Sequence, residues 1–142
     1  VIALMLYRIS EDLDAAFRKF IPPFGAAGNP VDITGGEPPK TYQNTVRLGL
    51  EDPRIHSLIL GYWHTIVTPP MVFAKIMVEV VEEMKAKGIE KPIVASLAGD
   101  VEVEEASEYL FAHGIPAYPY STEIPVAVLG AKYKWARGAG LI

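Results

Sequence analysis

The hydrophobic pattern changes period once, sharply, between Ser57 and Gly88, and that change limits the folds open to the chain. Leu58-Ile59-Leu60-Gly61-Tyr62-Trp63 is an uncharged run of strand length, as expected of a strand covered on both faces. Phe73, Ile76, Met77, Val80, Val81 and Met84 then recur at i, i+3, i+4, i+7, i+8 and i+11, one stripe of an α-helix. Lys75, Glu79, Glu82, Glu83, Lys85 and Lys87 take the other faces, with Glu83 and Lys87 a favourable i,i+4 pair. Thr68 is the candidate N-cap, Pro69 the first helical residue and Gly88 the C′ residue. Strand, loop and helix make a βα unit, and in open α/β sheets the loop from Trp63 to Val67 would line the ligand crevice.

The flanking sequence repeats this alternation. Upstream, Glu11–Phe20 reads as a short helix with Ser10 as candidate cap, and Pro22-Pro23 ends it. Val31-Asp32-Ile33 is strand-like, Thr34–Pro39 a Gly/Pro-rich turn, and Thr41–Leu50 a helix closed by Asp52-Pro53. Downstream, Pro92–Leu97 is a strand, Val103, Ala106 and Leu110 mark a helix, and Ile115–Tyr118 is a short last strand. Thr122-Glu123 opens a final helix carrying Val126, Leu129 and Tyr133 on one face. The expected fold is α/β: a flavodoxin-like, doubly wound parallel sheet with helices on both faces.

Bulk properties narrow the function classes. With 142 residues, half of them hydrophobic, the chain can bury a core. We read one domain over 1–142, with a leading segment and short helix over 1–28 and a core over 29–142. The chain begins with Val, as a fragment of a longer chain would. The apolar run Val1–Tyr7 is too short to span a bilayer and lacks the features of a signal peptide, so it reads as a strand or other structural segment. A net charge of −4 offers no basic stripe for nucleic acid. No cysteine is present, which removes disulfides, thiolate metal sites and a Cys nucleophile. Only Asn29, Gln43 and Asn44 carry side-chain amides, a composition that leans towards a thermophile. The expected location is the cytoplasm.

Few residues bear chemistry. In Gly28–Gly36, Asn29 precedes a proline and is pushed to extended geometry, Asp32 sits near a strand end, and Gly35 and Gly36 let backbone approach a ligand or another chain. The plainer reading is that Asn29 and Asp32 fasten the turn through backbone hydrogen bonds. Gly99-Asp100 ends a strand, where Asp100 most simply caps the next helix. His64 lies in the central βα loop without a partner at ligand spacing in sequence, while His56 and His113 flank elements as surface or capping groups. Trp63 reads as packing. Anion binding at the central helix start is weakened because Pro69 and Pro70 have no N–H. What remains is the dipole, the amides of Met71 or Val72, and the loop around Thr65 and Thr68. No catalytic residue and no metal site is assigned, and no Walker A, GxGxxG, HExxH or GxSxG pattern occurs.

Asn29-Pro30-Val31-Asp32 with its Gly-rich turn resembles the last α/β domain of NDP-forming acyl-CoA synthetases, found at the C-terminal end of the α chain in the acetyl-CoA synthetase (ADP-forming) family. Leu50–Pro53, Lys91–Ala95 with Gly99, Gly114–Tyr118 and Thr122–Leu129 keep step with that domain. A more distant likeness is to the C-terminal domain of the succinyl-CoA synthetase β chain. The resemblance implies a multidomain reaction that interconverts acyl-CoA, ADP and phosphate with acid, CoA and ATP. CoA, ATP/ADP and Mg would sit on other domains, with none placed firmly on this one. The implied partners are a CoA-binding domain, a phosphohistidine domain and an ATP-grasp domain or subunit, in an oligomeric enzyme. Thr65, Thr68 and Met71 would then face the phosphohistidine. The Gly-His-Ala-Gly phosphohistidine motif is absent, so His64 is not the phospho-acceptor and the chain alone is expected to be inactive. The competing readings are a non-catalytic sensor domain of a protein lysine acetyltransferase and, on the same fold, a phospho-receiver or flavin carrier. The receiver lacks its acidic cluster, Asp and Lys set.

Overall fold

A computed structural model describes residues 7–142. The run Val1–Leu6 lies outside the described residues, so its expected role stands without a structural counterpart. Helices α1 (Glu11–Phe17) and α2 (Pro39–Glu51) precede strand β1 (Leu58–Trp63). Helix α3 (Pro70–Ala86), β2 (Ile93–Ala98), α4 (Val101–Ala112), β3 (Ala117–Pro119) and α5 (Glu123–Gly138) follow.

The sheet is parallel in the order β1-β2-β3, with Leu58 opposite Ile93, Trp63 opposite Ala98 and Ala95 opposite Ala117. Its faces are set by strand parity. Leu60, Tyr62, Ile93, Ala95 and Leu97 join Phe73, Met77, Val80 and Met84 of α3 and Val103, Ala106 and Leu110 of α4 in the main core. On that side α2 packs on α3 and α3 on α4. Val94, of opposite parity, is fully buried outside that cluster, where α5 packs on β2 and β3 with Leu129 inward. Helices therefore cover both faces, as the alternation predicts.

The long helices end as their glycines dictate. Gly88 (φ +76°) and Gly114 (φ +82°) take left-handed backbone, which lets Ile89 N–H reach Met84 O and Ile115 N–H reach Leu110 O, both within 3.0 Å. These are Schellman closures, and the apolar residue after each glycine packs back on the helix. The expected Glu83–Lys87 pair forms at 2.9 Å, and Arg47 of α2 reaches the same carboxylate at 2.7 Å.

Several expectations are corrected. Strand β1 is covered on one face only: it lies at the sheet edge, α5 sits over its neighbours, and Ile59 and Trp63 are exposed. Residues 31–33 join no strand; Asp32 makes a single antiparallel bridge with Ala26, because the segment turns at Thr34 (φ 65°) before a ladder can form. Helix α1 stops at Phe17, and Ser10 makes no cap bond; its hydroxyl accepts from Arg54 Nη1 at 2.9 Å. The N-cap of α3 is Pro69 rather than Thr68. On α5, Leu129 is buried but Val126 and Tyr133 are exposed.

Arg47, and secondarily Lys87, hold the Glu83 carboxyl at about 2, down from 4.5. A folded value below the unfolded one gives stability that is full above about pH 4.5 and is lost as pH falls through about 2. Glu83→Gln is therefore expected to flatten the loss of stability across that window, measured by urea unfolding at stepped pH. An unchanged slope would show that the three-residue network contributes nothing.

Candidate functional site

The carboxyl ends of the strands carry the turns that gather the polar groups. Tyr62 points into the core, stacked on Phe73 at 4.3 Å, with Tyr42 edge-on to Phe73 at 5.7 Å. Its hydroxyl emerges beneath the β1–α3 loop and donates to Thr68 O at 2.7 Å. The Thr65 hydroxyl donates to the same carbonyl at 3.2 Å and accepts from Thr68 N–H at 3.1 Å. The Thr68 hydroxyl donates to Glu37 O at 2.8 Å, tying in the turn before α2. Burial raises the pKa of both Tyr42 and Tyr62, keeping their hydroxyls protonated.

Thr68 is thus a buried anchor, 0% exposed, with its hydroxyl, N–H and carbonyl all bonded within the protein. Thr65 sits at the surface of the same loop, and Gly35 comes close enough that a Cβ there would meet its methyl at 3.5 Å. Around them Trp63, Ile66 and Val67 are exposed, Ile66 almost wholly so at 96%. At the start of α3, Phe73 N–H already bonds Pro69 O. The two prolines have no N–H, so this helix end presents the amides of Met71 and Val72.

Other predicted residues take the plainer roles. The Asn29 amide donates to Tyr7 O at 3.0 Å, and Asp32 accepts from Thr34 N–H at 2.8 Å. A Cβ at Gly36 would meet no atom. Asp100 caps α4 by accepting Glu102 N–H at 3.1 Å. His113 caps the end of α4, its ring Nδ1–H donating to Tyr109 O at 2.7 Å. Trp63, read as packing, is 74% exposed on the uncovered face of β1.

His64 is not isolated. Its Nδ1 lies 3.2 Å from Asp100 Oδ1 and its Nε2 3.6 Å from Glu102 Oε2. Ligand atoms of all three fall within 4.8 Å of one another, a set that could hold a cation among the described residues. Sequence reading missed Glu102, although the parallel register carries the signal. Trp63 faces Ala98, so the residues just beyond each strand must meet. Gly99 makes the meeting feasible, since a Cβ there would lie 2.6 Å from His64 Cβ. Tyr120 (φ 61°) closes the rim, donating to Asp100 O at 3.0 Å and Glu104 Oε1 at 3.2 Å. The edge is electrostatically lopsided: carboxylates ring the start of α4, whereas the start of α3 carries no acidic residue in its first turn. An anion is favoured at the α3 end and repelled at the α4 end. Cavities of about 400 Å³ by Tyr7 and Asn29 and about 330 Å³ by Pro92 and Gly114 lie away from this edge.

A family model described as the Ligase-CoA domain matches residues 2–142. The acetate–CoA ligase (ADP-forming) I subunit alpha of Pyrococcus furiosus is 39% identical over 134 residues, covering 94% of this chain and 28% of that subunit. Among solved structures, the dinucleotide forming acetyl-coenzyme A synthetase 1 of Ca. Korarchaeum cryptofilum superimposes with a TM-score of 0.83 at 35% identity in its apo form. Its complex with phosphate and ADP gives 0.83 at 34% identity, and both alignments cover 93% of this chain and 28% of that one. The chain therefore spans less than a third of the length of the proteins it matches. Among the described residues no helix is long and apolar enough to cross a membrane.

Gly99→Ala is expected to destabilise the chain by about 1–3 kcal/mol, because neither the His64 Cβ nor Val103 Cγ1, 2.8 Å away, is a flexible side-chain end. Urea denaturation measures it; a change below about 0.5 kcal/mol would mean that the loops part without cost.

Proposed function

The chain belongs to the Ligase-CoA domain family, and from that premise we propose that it serves as one module of an ADP-forming acyl-CoA synthetase. The reaction interconverts acyl-CoA, ADP and phosphate with carboxylic acid, CoA and ATP. CoA, nucleotide and Mg bind on other modules, and this module presents the carboxyl edge of its sheet to the segment of a partner domain that carries the phosphohistidine. The partners are a CoA-binding domain, that phosphohistidine domain and an ATP-grasp domain or subunit, assembled as an oligomer in the cytoplasm.

The observation that carries this reading is the start of α3. A loop held from below by Tyr62 and Thr68 and braced by Thr65 leads into the helix start that presents the amides of Met71 and Val72. An apolar lip of Trp63, Ile66 and Val67 borders them. A helix end of this kind favours an approaching anion, and the lip excludes water from the contact. Thr68 acts as a positioning residue, since it is buried. His64 is bracketed by Asp100 and Glu102, whose charges oppose any phosphoryl group brought to its ring. The likeness to ADP-forming ligase subunits supports the reading, as does the solved relative in complex with phosphate and ADP.

Incubated alone with acetate, CoA and ATP, the 142-residue chain is expected to make no acyl-CoA; turnover would overturn the dependence on partners. Val72→Glu separates the site from the fold. Val72 is 39% exposed in the first turn, where a carboxylate adds about 0.3–1 kcal/mol of helix stability while repelling an incoming anion. In the assembled ligase, acyl-CoA formation is expected to fall about tenfold or more, about 1.4 kcal/mol, with Tm unchanged or raised. Full activity in that variant would remove the α3 end from the mechanism.

A further inference from the structure

One amine stands apart, at the amino end of the sheet. Lys91 lies in the turn that leads into β2, half-buried, and its Nζ donates to the backbone carbonyl of Asp52 at 2.6 Å. The Asp52 carboxylate is itself held by Arg54 at 2.6 Å, and among the described residues no carboxylate lies within ion-pair distance of Lys91. Its neighbours are matched differently: Lys85 pairs with Glu82 at 2.9 Å, and Lys87 with Glu51 and Glu83 at 3.0 and 2.9 Å. A backbone carbonyl carries no full charge, so it fixes the nitrogen without holding it in the ammonium form as strongly as a carboxylate would. Burial pushes the Lys91 ammonium down from its ordinary value, opposed by the charge of Asp52.

Lys91 also lines the cavity of about 330 Å³ beside Pro92 and Gly114. Met84, Ile93 and Ile115, all buried, form part of its wall, and Lys85, Lys132 and Glu90 share the lining. The amine thus borders an apolar recess whose charged groups are Lys85, Lys91 and Lys132 against Glu90 alone, a balance that favours an anionic carrier. In its uncharged form the nitrogen can keep one N–H on the Asp52 carbonyl and still present its lone pair to an electrophile.

We propose that Lys91 is an acylation site of this protein, its amine taking the acyl group from an acyl-CoA thioester. The inference rests on the reading of the chain as a module of an acyl-CoA synthetase, which supplies the donor. The amine lone pair attacks the thioester carbonyl carbon, and the C–N bond forms as the C–S bond breaks. The electron pair leaves with sulfur, and the proton shed by nitrogen restores the CoA thiol. The N–H that remains on the new amide stays with the Asp52 carbonyl, and the acyl chain enters the recess beside Met84 and Ile115. The product is neutral, so a half-buried cation is exchanged for an apolar group in an apolar setting.

Peptide mapping by mass spectrometry, on the 142-residue chain incubated with acetyl-CoA, tests this. The initial acylation rate at Lys91 is expected to exceed that at Lys75 and Lys134, both exposed, by about fivefold or more. The excess is expected to vanish in urea, where the cavity and the Asp52 contact are lost. Equal or slower labelling at Lys91 in the folded chain overturns the proposal. An excess that persists in urea overturns it too, because it would trace to the residues beside Lys91 in sequence. The assembled ligase, given acetate, CoA and ATP without acetyl-CoA, is expected to label Lys91 in step with turnover. Turnover that leaves Lys91 unlabelled overturns the proposal. Labelling by added acetyl-CoA in an assembly that shows no turnover keeps the acylation site and sinks the functional reading.

Discussion

The hydroxyl of Tyr62 is the point on which the rest of the carboxyl edge depends. Its ring is buried against Phe73 and Tyr42, so one side chain links β1, α3 and α2. A buried phenol must find a partner, and the partner available is the carbonyl of Thr68. That bond pulls the β1–α3 loop down onto the core and leaves the Thr68 hydroxyl aimed at Glu37. The loop geometry and the approach of the 34–37 turn are tied to the satisfaction of one polar atom in an apolar interior. A phenylalanine at this position would keep the packing and leave the Thr68 carbonyl to the Thr65 hydroxyl alone.

How much of this was legible in the residues depended on the range of the interaction. Strand β1 and the helical stripe of α3 were legible because burial imposes its period on neighbouring positions. The Asp100 cap and the Gly88 closure were legible because both are local backbone chemistry. The one-sided cover of β1 was not, since an uncharged run does not tell whether its outer face meets a helix or nothing. Thr68 misled for a similar reason. A Thr before two prolines has the grammar of a helix cap, but its hydroxyl is taken by Glu37, 31 residues away. The partners of His64 lie 36 and 38 residues downstream, and only the strand register brings them together.

The electrostatic layout follows from the same loops. The Asp100 carboxylate accepts the Glu102 N–H, and Glu102 and Glu104 lie in the first turn of α4, so the dipole of that helix is already answered by carboxylates. Helix α3 has nothing acidic there, and its two prolines reduce the free donors without removing the dipole. One sheet edge thus offers two helix ends of opposite character: one saturated, one open. Of the two, the α3 end is the one whose field favours an anion.

Rigidity decides whether such an edge is useful. Ordering a loop on binding costs free energy for each side chain immobilised, and here the β1–α3 loop is ordered beforehand by Tyr62, Thr65 and Thr68. The apolar groups that remain exposed are therefore presented in a fixed arrangement, and their burial by a partner yields its hydrophobic gain with little entropy to set against it. A loop tied from below and bare above suits a module whose chemistry is delivered by another domain. Its buried members, Tyr62 and Thr68, hold the loop's shape from beneath, while Thr65 both braces the loop and lies nearer its surface.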